Sequence, residues 1–161
     1  MEIPLFGQIN SLEPKIYYEE KISISGNIVE IDLNFESNKI EDSLLVELSN
    51  YLKKLDTEVK KAFKAISEDW DLDEESETAR FYLEHHLDVF SQNEIDKIFG
   101  TKEIDKTLFL NTLVLTRIGI YPENSESYAI FDIQFSKNFT DYLMAVTFNN
   151  LGELSEISMD S

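Results

Sequence analysis

Between Ile28 and Phe35 apolar and polar residues alternate without a break. Val29, Ile31, Leu33 and Phe35 predict a core-facing side, and Glu30, Asp32 and Asn34 a water-facing one, the pattern of a half-buried strand. The preceding run through Ile22 and Ile24 predicts a partner strand, so residues 15–36 read as a hairpin. Gly26-Asn27 supplies the tight turn, since both residue types tolerate positive φ. The period then changes. Leu45, Leu48, Leu52, Leu55, Val59, Ala62 and Ile66 recur at spacings of three and four, the stripe of an amphipathic helix. Asn38 with Glu41 three residues on predicts its N-cap and capping acid. No Gly or Pro interrupts the run, which fits one helix to about Asp69 or two broken at Asp56-Thr57. The heptad-like spacing also suits a coiled coil. In a mixed domain, three to four heptads fit a helix lying on a sheet better.

A third helix is predicted over about Glu77 to Phe90. At 100° per residue, Ala79, Tyr82, Leu83, His86, Leu87, Val89 and Phe90 form one apolar arc with His85 at its edge. Ser91-Gln92-Asn93-Glu94 carries the S-x-x-E capping-box signature of a short helix that Gly100 ends. One more helix, from about Lys102 to Leu113, leads into the final sheet. Candidate strands are Val114–Tyr121, Tyr128–Phe135, Tyr142–Phe148 and Glu153–Met159, separated by turn-forming segments. In the second of these Ala129, Phe131, Ile133 and Phe135 share one face. Short connections make neighbouring strands antiparallel. Residues 1–161 therefore read as a single α+β domain, an antiparallel sheet from an N-terminal hairpin and C-terminal strands with the middle helices on one face.

Charge changes the picture more than composition does. The 161 residues include 32 acidic and 14 basic side chains, a formal balance of -18, with eleven Phe, seven Tyr and no Cys. Enough aromatics remain for a core, and a chain of this size buries roughly 70 % of its unfolded surface. Without Cys there is no disulfide, thiolate nucleophile or Cys-based metal site. Phosphate backbones and anionic lipid surfaces repel such a molecule, so neither nucleic acid nor membrane is expected as a partner. Met1–Gly7 lacks the basic segment and long apolar run of a signal peptide, and a cytoplasmic protein is expected. The acidity is uneven. Residues 65–105 hold thirteen Asp/Glu against Arg80, Lys97 and Lys102, or -10 of the -18. Within that block, Asp69, Asp71, Asp73, Glu74, Glu75 and Glu77 form the candidate partner-binding region, with a basic protein as the partner. The same charge equally serves solubility.

Candidate chemistry is sparse. Asp69, Asp71 and Asp73 alternate as in the first half of an EF-hand loop, but Glu74 stands where a Gly must turn and Arg80 where a bidentate Glu is needed. An acidic interhelical loop is the better reading. His85 and His86 are adjacent, diverge by 100° on a helix and lack the i, i+4 spacing of helical metal ligands. His86 reads as a hydrogen-bonded core residue. Asp32 and Asp132 lie in different strands of one sheet and are expected as solvated positions; burial would be needed to make them a working acid–base pair. Lys53, Lys54, Lys60, Lys61 and Lys64 are expected on the helix face opposite the leucine stripe, a local positive patch or simply a solvated face. No nucleophile elbow, phosphate loop or dinucleotide fingerprint is present, so no catalytic residue, cofactor or metal is assigned.

Several stretches resemble a bacterial family of domains of unknown function, family two thousand and four. They are Ile3-Pro4-Leu5-Phe6-Gly7, Ile31-Asp32-Leu33-Asn34-Phe35, Tyr82-Leu83-Glu84-His85-His86-Leu87, and Arg117-Ile118-Gly119-Ile120-Tyr121-Pro122 followed by Tyr128-Ala129-Ile130-Phe131-Asp132. The resemblance extends through Thr140-Asp141-Tyr142-Leu143 and Gly152-Glu153-Leu154. It implies a small cytoplasmic bacterial protein of α+β build and carries no activity. Three functions are therefore expected to compete. The first is a non-enzymatic acidic binding module, in its narrower form an immunity-like protein against a basic toxin. The second is a small hydrolase or metal enzyme using Asp32, Asp132 or His85. The third is a homo-oligomer, a homodimer for instance, held by the leucine stripe or an edge strand.

Overall fold

The computed structural model describes residues 1–72, 78–101, 103–136 and 138–161. Its main element is a six-stranded sheet in the order β3-β4-β5-β6-β7-β8, with five helices among the described residues between β4 and β5 and a small separate hairpin, β1–β2, at the N-terminus. The strands are β1 Glu2–Ile3, β2 Gly7–Gln8, β3 Tyr17–Ile24, β4 Asn27–Asn34, β5 Val114–Ile120, β6 Ala129–Gln134, β7 Leu143–Phe148 and β8 Leu154–Asp160. The helices are α1 Asp42–Leu52, α2 Leu55–Asp71, α3 Ala79–Val89, α4 Gln92–Phe99 and α5 Lys106–Thr112. The α+β build matches the sequence pattern. No helix of the described residues is long and apolar enough to cross a membrane.

The β3–β4 hairpin forms as the alternation requires, but its turn sits one residue earlier. Ile24 faces Asn27, leaving Ser25 (φ 50°) and Gly26 (φ 81°) as the two turn residues. Two successive positive φ angles match the right-handed twist of the strands. One strand pairing differs in direction. β4 pairs β5 in parallel, with Ile31 opposite Ile118 and Leu33 opposite Ile120, so the sheet is mixed rather than wholly antiparallel. The hairpin rule governs short connections, whereas a long connection that includes α1 to α5 carries the chain from β4 to β5 and returns it to the same end. From β5 to β8 each neighbour is antiparallel.

Val29, Ile31, Leu33, Ile118, Ile120, Phe131, Ile133, Met144, Val146 and Phe148 bury the helix-side face of the sheet. They form one core with Leu45, Leu48, Leu52, Val59, Ala62 and Ile66. The leucine stripe is thus consumed by this sheet. It belongs to two helices, and the break falls at Lys53-Lys54, earlier than Asp56-Thr57 and without a Gly or Pro. Lys53 and Lys54 N–H groups bond back to Ser49 and Tyr51 carbonyls, and Lys54 O then accepts from Thr57 and Glu58 to start α2. α1 begins at Asp42 instead of near Asn38, because Ile40 is buried and its N–H bonds Ser11 O. The capping box on α4 is complete: Ser91 Oγ accepts from Glu94 N–H and Glu94 Oε2 from Ser91 N–H at 2.7 Å, and Gly100 closes the helix. In α3, Ala79, Tyr82, Leu83 and His86 are buried, yet Val89 is 61 % exposed. The predicted arc is wider than the contact this helix makes, and its rim residue stays outside.

Candidate functional site

The sheet face opposite the helices holds the first polar cluster. Asp32 of β4 and Asp132 of β6 flank β5, and Arg117 of β5 reaches both. Its Nε and Nη2 donate to Asp32 at 2.6 and 2.9 Å, its Nη1 to Asp132 at 3.2 Å, and Nη2 also to Tyr121 Oη at 3.1 Å. Asn34 Nδ2 donates to Asp32 as well, at 2.5 Å. Asp32 is 3 % exposed and Asp132 8 %. The expectation of solvated strand positions is therefore corrected: the guanidinium lies over both carboxylates and takes the place of water. Gly119 makes this possible. A Cβ there would stand 2.7 Å from Arg117 Nη2 and 3.1 Å from the Tyr121 ring, so a side chain would occupy the guanidinium's path.

Burial lifts the Asp132 carboxyl above its ordinary range, against the pull of Arg117, with Asp32 adding to the rise. For Arg117, burial works to lower the pKa, and the hydrogen bonds to Asp32 and Tyr121 outweigh it, so the group stays cationic. Both carboxylates are occupied as acceptors by the one guanidinium, in charge-assisted hydrogen bonds. The arrangement locks strands β4, β5 and β6 together. No group of three His, Asp or Glu residues suited to a metal is found among the described residues.

The two histidines separate as their spacing predicts. His86 is fully buried, its Nδ1 2.7 Å from Tyr82 O and its Nε2 2.8 Å from Thr140 Oγ1. Tyr82 O can only accept, so Nδ1 carries the proton and Nε2 accepts from the Thr140 hydroxyl, whose oxygen in turn accepts from Tyr142 N–H. Burial holds the His86 pKa below the usual histidine value, despite the opposing bond to Tyr82. His85 lies at the surface edge between Phe81 and Tyr142, with ring centroids 6.3 and 4.8 Å away. Its Nε2 is buried without a hydrogen-bond partner among the described residues. Phe81 is 51 % exposed and Tyr142 40 %. Exposed Glu84 and Asp88 on the same helix and exposed Asp141 beside Tyr142 border this aromatic group. Sequence reasoning missed the patch. Its one signal was Phe81, an aromatic lying off the apolar arc of α3.

Of the predicted acidic region, Asp69 and Asp71 are described, while Asp73, Glu74, Glu75 and Glu77 lie outside the described residues. Asp69 Oδ2 accepts from Ala79 N–H at 2.8 Å, supplying the first turn of α3 with an acceptor. Asp71 pairs with Lys106 at 2.6 Å, joining the end of α2 to the start of α5. Both therefore act within the fold as well as contributing charge beside α3. The five lysines do not share one helix. Lys53 and Lys54 occupy the α1–α2 break, Lys64 pairs with Glu68 at 3.6 Å, and Lys61 bonds Glu58 and Gly152 O at 3.1 and 2.8 Å.

The chain matches no protein-family model, no curated protein and no solved structure at a significant level.

Proposed function

We propose that this chain is a non-enzymatic, acidic protein-binding module whose α3 face docks a basic protein. The observation that carries this reading is the patch of Phe81, His85 and Tyr142, an aromatic centre inside a border of Glu84, Asp88 and Asp141. Protein interfaces concentrate their energy in aromatic anchors surrounded by a polar rim. The charge border supplies complementarity to a basic surface and, at low salt, faster encounter. Among the described residues of the -10 block, Glu68, Asp69 and Asp71 on α2 and Glu94 and Asp96 on α4 add acidic charge to the same field. The narrower form is an immunity-like protein that caps a basic toxin, such as a nuclease whose own site attracts polyanions. Occupation of both Asp32 and Asp132 by Arg117 favours binding over a carboxylate-dependent hydrolase. Burial of the leucine stripe leaves edge strands as the route to a homodimer.

The test is affinity capture from native lysate at low and high salt, with Phe81→Ala and Asp88→Lys variants alongside. A stoichiometric basic protein that is lost at high salt and lost from both variants supports the proposal. Recovery of no partner, or of one indifferent to both variants, contradicts it.

A further inference from the structure

The two outermost strands of a sheet each present a row of unpaired backbone N–H and C=O groups, ready to pair with another strand. In this sheet those strands are β3 and β8, and they are finished differently. At β8 the Ile157 carbonyl accepts from Thr78 Oγ1 at 3.0 Å, and the strand carries Glu156 and Asp160 with no basic residue. Two copies of β8 would set acid against acid. Glu68 and Asp69 of the acidic block also line a cleft with Leu154 and Ile157, so this charge gathers at the β8 edge. β3 is eight residues long, and no hydrogen bond among the described residues reaches the backbone of its outer side. It carries Glu19 and Glu20 beside Lys21, and Lys21 makes no ion pair among the described residues. Glu19 stands across from Asp32 of β4, a like charge.

Symmetry restricts how a second β3 can pair with the first. A two-fold axis normal to the sheet keeps each residue on its own face, so directly opposed residues are both odd or both even in number. The axis then falls on one residue. On Glu19 it opposes two carboxylates and sets Tyr18 against Glu20. On Lys21 it opposes two ammoniums and sets Glu20 against Ile22. On Glu20 it opposes one like pair, yet Glu19 meets Lys21 twice, Tyr18 meets Ile22 twice and Ile16 meets Ile24 twice. Within β3 only this axis sets opposite charges face to face, and opposite-charge and aromatic–β-branched pairs are those that stabilise neighbouring strands. Exposure agrees with that register. Ile16 is 72 % exposed, while Ile22 and Ile24 line a hollow of about 220 Å³ with Leu5, Leu52 and Leu55. Leu5 is itself 46 % exposed and held at φ 71°, a strained angle for leucine. The register brings the exposed isoleucine of each copy to the apolar hollow of the other.

We propose that the β3 edge is a self-association surface: two copies of this chain pair through β3, antiparallel about a two-fold axis at Glu20, and join their sheets into one. The surface is separate from the α3 patch and does not depend on the protein-binding reading.

Sedimentation velocity of the full chain from micromolar to millimolar concentration tests it. The expected result is a concentration-dependent dimer, weakened about tenfold or more in Glu19→Lys and in Lys21→Glu. Each variant opposes like charges when it pairs with itself, whereas a one-to-one mixture of the two restores opposite charges at both pairs. The mixture should therefore regain dimerisation, as a heterodimer. Glu20→Gln removes the like pair on the axis and tightens the dimer. Lys97→Glu makes the same change in net charge on α4 as Lys21→Glu and leaves the dimer intact. All four replace exposed side chains, and thermal midpoints close to wild type check that each variant folds. A chain that stays monomeric at millimolar concentration overturns the proposal. So does a dimer indifferent to both charge reversals, or a mixture that associates no better than the two variants apart.

Discussion

The Arg117 cluster and the Tyr51–Tyr128 pair both bury polar atoms, and they differ in how completely those atoms are paired. On the open sheet face, one guanidinium donates to two carboxylates and a phenol, and Asn34 completes Asp32. On the helix side, the Tyr51 and Tyr128 hydroxyls are buried with no hydrogen-bond partner among the described residues. Buried polar groups that satisfy one another specify a fold. The first place is part of the architecture, and the second adds no polar bond to it. Removing polar atoms should therefore damage the first and leave the stability of the second almost unchanged.

The largest effect is expected for Arg117→Met. It leaves Asp32 and Asp132 buried without a counter-charge and should cost about 3–5 kcal/mol in urea unfolding at neutral pH. The loss should shrink at acid pH, where the orphaned carboxyls take up protons. Gly119→Ala comes next, at about 2 kcal/mol, because its Cβ would displace the guanidinium or Tyr121. A pair of tyrosines then sharpens the contrast. Tyr82 Oη donates to Tyr142 O at 2.8 Å and accepts from Phe135 N–H at 3.1 Å, so Tyr82→Phe should cost about 1–2 kcal/mol. Tyr128→Phe removes a hydroxyl with no partner and should change stability by less than about 0.5 kcal/mol in the same denaturation experiment.

The smallest effect concerns pH. His86 has a folded-state pKa below the ordinary histidine value of about 6.5, so the unfolded chain takes up a proton first as the pH falls. His86 thus contributes full stability above about 6.5 and loses it progressively below. The thermal midpoint should decline between pH 7 and 5, and less steeply in His86→Gln after correction for the variant's lower overall stability.

What the sequence disclosed follows from which forces are local. The alternation of Val29 to Phe35 and the Ser91–Glu94 box are satisfied by near neighbours, and both appear where predicted. Alternation puts Asp32 on the water-facing side because it reports a side of the sheet, not what lies across that side. Its partner Arg117 is 85 positions away and arrives only through the parallel β4–β5 pairing. That pairing depends on where five helices return the chain, which no local pattern encodes. The break at Lys53-Lys54 escaped for a related reason: it is made by backbone hydrogen bonds that any residue can form. The acidic block was visible as charge, but the aromatic centre beside it needed Phe81 and Tyr142, 61 positions apart, brought together around His85.

Amide hydrogen exchange on the chain in complex with its captured partner tests the binding account most directly. The account predicts new protection over residues 79–89 and 140–142, stronger at low salt than at high. Protection confined to the β3 edge or to the Arg117 face, with α3 exchanging as in the free protein, would contradict it.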